Sequence, residues 1–168
     1  MNPFGMRVQI GLEEKDVKYE YQVENLAGNK SELLLRMNPV YKKIPILIHG
    51  VKPICKSLVI LQYIDEAWPA SWPFLPSDPY DRALSRFWAE FVDKKIFDAG
   101  FRMIKSKGEG LEQAKRDMLE NMGHLEGALK QMPKGGPYFD GEEFGFLDIA
   151  YIPFVTWFHT HEILGILS

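Results

Sequence analysis

Apolar positions near the start of the chain recur with two different periods. Phe4, Val8 and Leu12 stand four apart with Met6 and Ile10 beside them, which predicts one short helix. Lys18 to Glu24, read Lys-Tyr-Glu-Tyr-Gln-Val-Glu, alternates polar and apolar side chains, the pattern of a half-buried strand. Ser31 is placed to cap a short helix through Leu33, Leu34 and Leu35, and Asn38-Pro39 should stop it. Ile44-Pro45-Ile46-Leu47-Ile48 reads as a strand buried on both faces, its proline confined to the strand start or edge because it lacks an N–H. Gly50 supplies a turn, Lys52 to Cys55 returns as a hairpin strand, and Ser57 is placed to cap a helix running to Glu66.

The pattern then changes. A segment with three prolines and two tryptophans, Trp68 to Pro76, should pack its aromatic rings against the flanking regions. Asp78 as N-cap, Pro79 as first helical residue and Asp81 in the first turn open a long helix. Its apolar stripe is Ala83, Leu84, Phe87, Trp88, Phe91, Val92 and Ile96. A second helix from Glu109 carries Leu111, Ala114, Met118, Met122, Leu125 and Leu129 on one face, and Lys134-Gly-Gly-Pro137 breaks it. In the third, Gly145 reads as N-cap, Asp148 as the reciprocal carboxylate, Phe144 with Ile149 as a hydrophobic staple, and Pro153 as a kink. The expected organisation is a small α/β domain over residues 1–67, a linker over 68–77 and an all-helical domain over 78–168.

Composition narrows the function classes. Among 168 residues 46% are hydrophobic, enough for a core and too many for intrinsic disorder. Twenty basic against 23 acidic residues leave a net charge of −3, which disfavours nucleic acid as a partner. No apolar run reaches the roughly 20 residues that span a bilayer, and no signal-peptide pattern opens the chain, so the expected compartment is the cytosol. The single cysteine, Cys55, builds neither a disulfide framework nor a zinc knuckle and reads as a small buried hydrophobe. His159 and His161 stand two apart, a poor metal pair on a helix, so no metal is expected. Phosphate-binding glycine motifs are absent. Lys42-Lys43 sits before the apolar Ile44–Ile48 run, either a solvated turn or a grip for a small anion. Residue chemistry alone leaves enzyme and binding protein both open.

Several blocks, taken together and in order, resemble the plant tau-class glutathione transferases. They are Asn2-Pro-Phe-Gly-Met-Arg7, Met37-Asn-Pro-Val-Tyr-Lys-Lys-Ile-Pro-Ile46, Lys52-Pro-Ile-Cys-Lys-Ser57, Leu75-Pro-Ser-Asp-Pro-Tyr80, Arg86-Phe-Trp88 with Val92-Asp-Lys-Lys95, and Phe144-Gly-Phe-Leu-Asp-Ile149. The resemblance implies a thioredoxin-like domain that holds glutathione, then an all-α domain with a hydrophobic co-substrate site, in a homodimer. It implies conjugation of glutathione to hydrophobic electrophiles, with glutathione as co-substrate.

By the same resemblance Asn2 stands at the catalytic serine position. Lys30 and Lys43 would contact glutathione's carboxylates, and the backbone of Ile44, before a cis Pro45, would pair with its cysteinyl part. Ser57 would hold the γ-glutamyl carboxylate, while Lys56 stands where a glutamate receives the amino group. Phe97, Phe101 and Trp157 would line the hydrophobic site. The family's first β-strand and last helices have no counterpart in the chain, so neighbouring strands should lose ladder partners. Two further readings stay open: a non-catalytic binder of apolar ligands, and a shortened form of little function that is unstable alone or relies on a full-length dimer partner.

Overall fold

The computed structural model describes residues 2–25, 28–69, 72–132 and 136–163, and for residues 157–163 the backbone alone. The chain divides into two units, Met1–Phe74 and Leu75–Ser168.

In the first unit, helix α1 (Pro3–Glu14) starts where the sequence puts a proline at the first helical position. Asn2 caps it, its Oδ1 accepting from the Phe4 N–H at 2.9 Å. The buried face of α1 holds Arg7, Val8, Gly11 and Leu12. A Cβ on Gly11 would meet Leu61 Cδ2 at 2.7 Å, so the missing side chain lets α1 close on helix α3 (Ser57–Ala67). Helix α3 supplies Ile60, Leu61 and Ile64, all fully buried. Helix α2 (Glu32–Met37) is capped by Ser31 Oγ, which accepts from the Leu34 N–H at 3.1 Å. Strands β1 (Ile46–His49) and β2 (Lys52–Cys55) form an antiparallel hairpin with Ile48 opposite Pro53 and His49 opposite Lys52. Gly50 takes φ +64°, the left-handed conformation the tight turn requires.

Four expectations for this unit change. Lys18–Glu24 forms no strand: it pairs with no neighbour among the described residues, and its apolar side chains Tyr21 and Val23 are 58% and 83% exposed. Alternation makes a segment suited to a sheet, but a strand exists only where another backbone lies alongside to form the ladder. Strand β1 is half-buried rather than enclosed on both faces, for the same reason. Ser57 does not cap α3: Lys56 occupies the cap position, with no side-chain cap bond, and Ser57 is the first helical residue. The Trp68–Pro76 segment also departs from expectation, since Trp72 is 58% exposed and contributes its carbonyl rather than its ring. Phe74, by contrast, is buried beside Gly11 and Lys15.

The second unit is helical. Helix α4 (Pro79–Phe91) begins as the sequence predicts, with Asp78 Oδ1 accepting from the N–H groups of Tyr80 and Asp81. Its buried residues are Ser85 and Ala89, whereas Phe87 is 58% exposed and Trp88 and Phe91 are half-buried. Small residues hold the buried positions of this helix, and the rings pack edge-on against one another instead. A π-helical turn (Val92–Ile96), unannounced by the sequence pattern, leads into α5 (Phe97–Lys105).

Helix α6 (Glu109–Gln131) buries Ala114, Met118, Leu125 and Ala128, while Leu129, expected on that face, is 40% exposed. Helix α7 (Phe146–Ile163) is closed at its start by Asp148, whose carboxylate accepts from Gly145 N–H at 3.0 Å and Phe139 N–H at 3.2 Å. Burial pushes the Asp148 carboxyl above its ordinary value, against the lowering effect of those backbone donors. Pro153 lies inside α7. His159 and His161 lie on α7 beyond the described side chains.

Candidate functional site

Two of the first unit's candidate residues, Lys56 and Ser57, lie at the start of α3. Ser57 is buried there, and its Oγ accepts from Arg7 Nη1 at 3.1 Å, reaching from α1. Arg7 is fully buried, so the hydroxyl is held against a guanidinium shielded from water. Lys56, just before it, sits at φ +75° and places its ammonium 3.8 Å from the centre of the Tyr41 ring. A non-glycine residue in that region is strained by about 1–3 kcal/mol and persists only where its surroundings impose it. No side chain caps the first N–H groups of α3, and with the helix dipole they suit an anion.

Tyr41 belongs to the loop that carries Lys43 and Ile44, so its contact with Lys56 brings that loop to the helix start. The loop is pinned by Asn38, a buried residue. Its Nδ2 donates to the Lys43 carbonyl at 2.8 Å, its Oδ1 accepts from Tyr41 N–H at 3.1 Å, and its own carbonyl accepts from Lys42 N–H at 2.8 Å. The Ile44–Pro45 peptide is cis. Lys43 is exposed and Ile44 half-buried. Cys55 is half-buried, and burial pushes its thiol up more than neighbouring Lys56 pulls it down, so it is a poor nucleophile.

Lys30 is exposed and directly precedes Ser31. Ser31 donates its N–H and hydroxyl to Glu24 at 2.8 and 2.7 Å, holding that carboxyl below its usual range, and Lys30 adds to the effect. Asn2 is half-buried at the start of α1. Since its Oδ1 must face the Phe4 N–H, its Nδ2 is left pointing away as a donor. The N–H groups of Gly5 and Met6 are both taken by the Asn2 carbonyl. Among the described residues, the Asn2 amide is therefore a donor that this helix end has to offer.

The second unit holds the aromatic candidates. Phe97 stacks on Phe101 with ring centres 5.8 Å apart and planes 23° apart, and Phe154 of α7 meets Phe97 at 6.0 Å. The Trp157 side chain lies outside those described.

Comparison with known proteins agrees with this division. Residues 1–66 match the glutathione S-transferase N-terminal domain and residues 108–160 the glutathione S-transferase C-terminal domain. The chain is 54% identical over 166 residues to the probable glutathione S-transferase parC of Nicotiana tabacum, covering 98% of this chain and 73% of that one. The crystal structure of the tau-class glutathione S-transferase of mango superposes with a TM-score of 0.92 at 44% identity, over 99% of this chain and 76% of that one. The chain belongs to the tau-class glutathione S-transferases. Rice GST1, solved in complex with glutathione, is likewise similar, with a TM-score of 0.88 at 44% identity over 98% of this chain and 74% of that one.

Its two units are thus the thioredoxin-like and all-helical halves of the glutathione S-transferase fold. Two residues that position the candidate site escape a reading of the sequence alone. Arg7 stands among apolar residues of an amphipathic helix without any local sign of its partner, which lies 50 residues away. Asn38 signals only a helix stop, because the loop it pins forms after it.

Proposed function

We propose that the chain conjugates reduced glutathione to hydrophobic electrophiles. The observation that carries this reading is the uncapped start of α3, where Ser57 rests on the buried Arg7 guanidinium. A γ-glutamyl carboxylate fits there, because it needs N–H donors and a fixed positive charge together. Lys43 and Lys30 would meet the remaining carboxylate, and the Ile44 backbone would pair with the cysteinyl residue as an added strand does. Asn2 would donate its Nδ2–H to the thiolate, favouring the ionised sulfur. The thiol gives its proton to solvent, the sulfur pair forms a C–S bond with the electrophilic carbon, and a leaving group departs with the displaced pair. Phe97, Phe101 and Trp157 would shelter the apolar part of that electrophile. Detoxification in the cytosol, as a homodimer, is the setting this chemistry suits.

One observation favours a second reading. Lys56, whose ammonium lies over the Tyr41 ring, stands where the family resemblance puts the group that receives glutathione's ammonium, so a non-catalytic binder of apolar ligands is the competing function. Thermal unfolding with and without millimolar glutathione decides between them. A rise in Tm with glutathione supports the transferase, since only binding to the native state raises it. An unchanged Tm, with an apolar dye still bound, supports the binder.

A further inference from the structure

The open face of α5 carries an aromatic pair and a cation in sequence. Phe97, Phe101 and Lys105 follow one another at helical spacing and form one stripe. Phe97 stacks on Phe101, and the Lys105 ammonium lies 4.4 Å from the centre of the Phe101 ring. Phe101 and neighbouring Ile104 are 40% and 49% exposed, so this platform faces water. The other cation of the helix, Arg102, is committed: it donates to Asp98 at 2.8 Å and to Asp117 at 2.7 Å. Among the described residues no carboxylate pairs with Lys105.

We propose that Lys105 makes this platform selective for apolar anions, namely flat aromatic carboxylates or sulfonates. The inference rests on the reading of Phe97 and Phe101 as the hydrophobic site and adds the charge of what binds there. A flat ligand that reaches Phe101 must move the ammonium off the ring. With a neutral ligand the cation exchanges its ring contact for water alone. With an anion it closes over the acidic group, beside apolar surface that strengthens the charge pair. Neutral and acidic ligands of equal shape are therefore separated by a single side chain.

Fluorescence titration of the full chain tests this with two dyes of nearly the same skeleton, anilinonaphthalene sulfonate and the uncharged phenylnaphthylamine. Wild type should bind the sulfonate more tightly, and added salt should erode that preference. Lys105→Gln should weaken the sulfonate by about 5–10-fold and leave the neutral dye within about twofold. Phe101→Ala should weaken both. Unchanged sulfonate binding in Lys105→Gln, or an equal loss for the two dyes, overturns the proposal. So does Phe101→Ala binding both dyes normally, because the dyes would then sit elsewhere. These readouts need no glutathione, so their failure is distinct from failure of the glutathione-dependent rise in Tm.

Discussion

Arg7 Nη1 donates to Ser57 Oγ at 3.1 Å, and this bond fixes the start of α3 against α1. Both residues are buried, Arg7 completely. Arg7→Ala removes the charge, the donor and the packing of the stem together. It should cost about 2–4 kcal/mol in urea unfolding and abolish the glutathione-dependent rise in Tm. Arg7→Lys, which keeps a charge but not the planar fork, should recover part of the stability and little of the binding. Full binding by Arg7→Ala would remove Arg7 from the site.

Lys15, the residue that closes α1, and Asp65 of α3 form a second link. The Lys15 ammonium lies 2.8 Å from Asp65 Oδ1, donates to the Trp72 carbonyl at 2.7 Å, and sits 4.3 Å from the centre of the Phe74 ring. Asp65 also accepts from the Phe74 N–H at 2.8 Å. Removing one partner strands a buried charge, so Lys15→Met or Asp65→Leu should each cost about 3–5 kcal/mol. The double variant should regain only part of that in chemical denaturation, because the Trp72 carbonyl and Phe74 N–H stay deprived.

Asn2 has two separable duties. Asn2→Ala should lower stability by about 0.5–2 kcal/mol through loss of the α1 cap. Asn2→Asp keeps an oxygen for the Phe4 N–H and loses the Nδ2 donor, so its Tm should stay near wild type. Its conjugation rate should fall, since a carboxylate repels the thiolate. A rate unchanged in Asn2→Asp would take Asn2 out of the chemistry.

Lys56→Glu exchanges the cation at the start of α3 for a group able to receive an ammonium. Glutathione should bind this variant about tenfold more tightly by calorimetry. An unaltered Kd would mean that Lys56 keeps to Tyr41 and never meets the ligand.

Asp148 carries a pH signature. Its folded pKa is raised by burial, so its contribution is fully present below the ordinary carboxylate value of about 4 and is lost as pH rises through the raised value. Between neutral pH and about 4, wild type should therefore gain stability relative to Asp148→Asn as the solution is acidified. A difference curve of unfolding free energy that is flat over this range would count against the buried-carboxyl account.

Features set by neighbours in sequence are legible without coordinates, and those set by distant ones are not. Ser31, Asp78 and the Gly145–Asp148 pair announce helix starts because a cap is chemistry within three residues. Lys18–Glu24 has the right alternation for a strand but depends on another backbone for its ladder. The stripe of α4 misleads because size is mistaken for burial: Ser85 and Ala89 take the packed face, while Phe87 remains half in water. The start of α3, with Lys56 and Ser57, and the Lys43–Ile44 loop are visible as motifs. The guanidinium beneath Ser57 and the amide pinning the loop are visible only once the chain has folded back.

Two ties from α1 and its closing residue to α3 also order events during synthesis. Arg7 and Lys15 each wait for a partner 50 residues downstream, at Ser57 and Asp65. At about 5–20 residues per second, a ribosome leaves α1 without either for roughly 3–10 seconds. Throughout that interval the apolar side of α1, with Val8 and Leu12, has no α3 to cover it. The nascent chain therefore offers chaperones a helix that the finished protein hides.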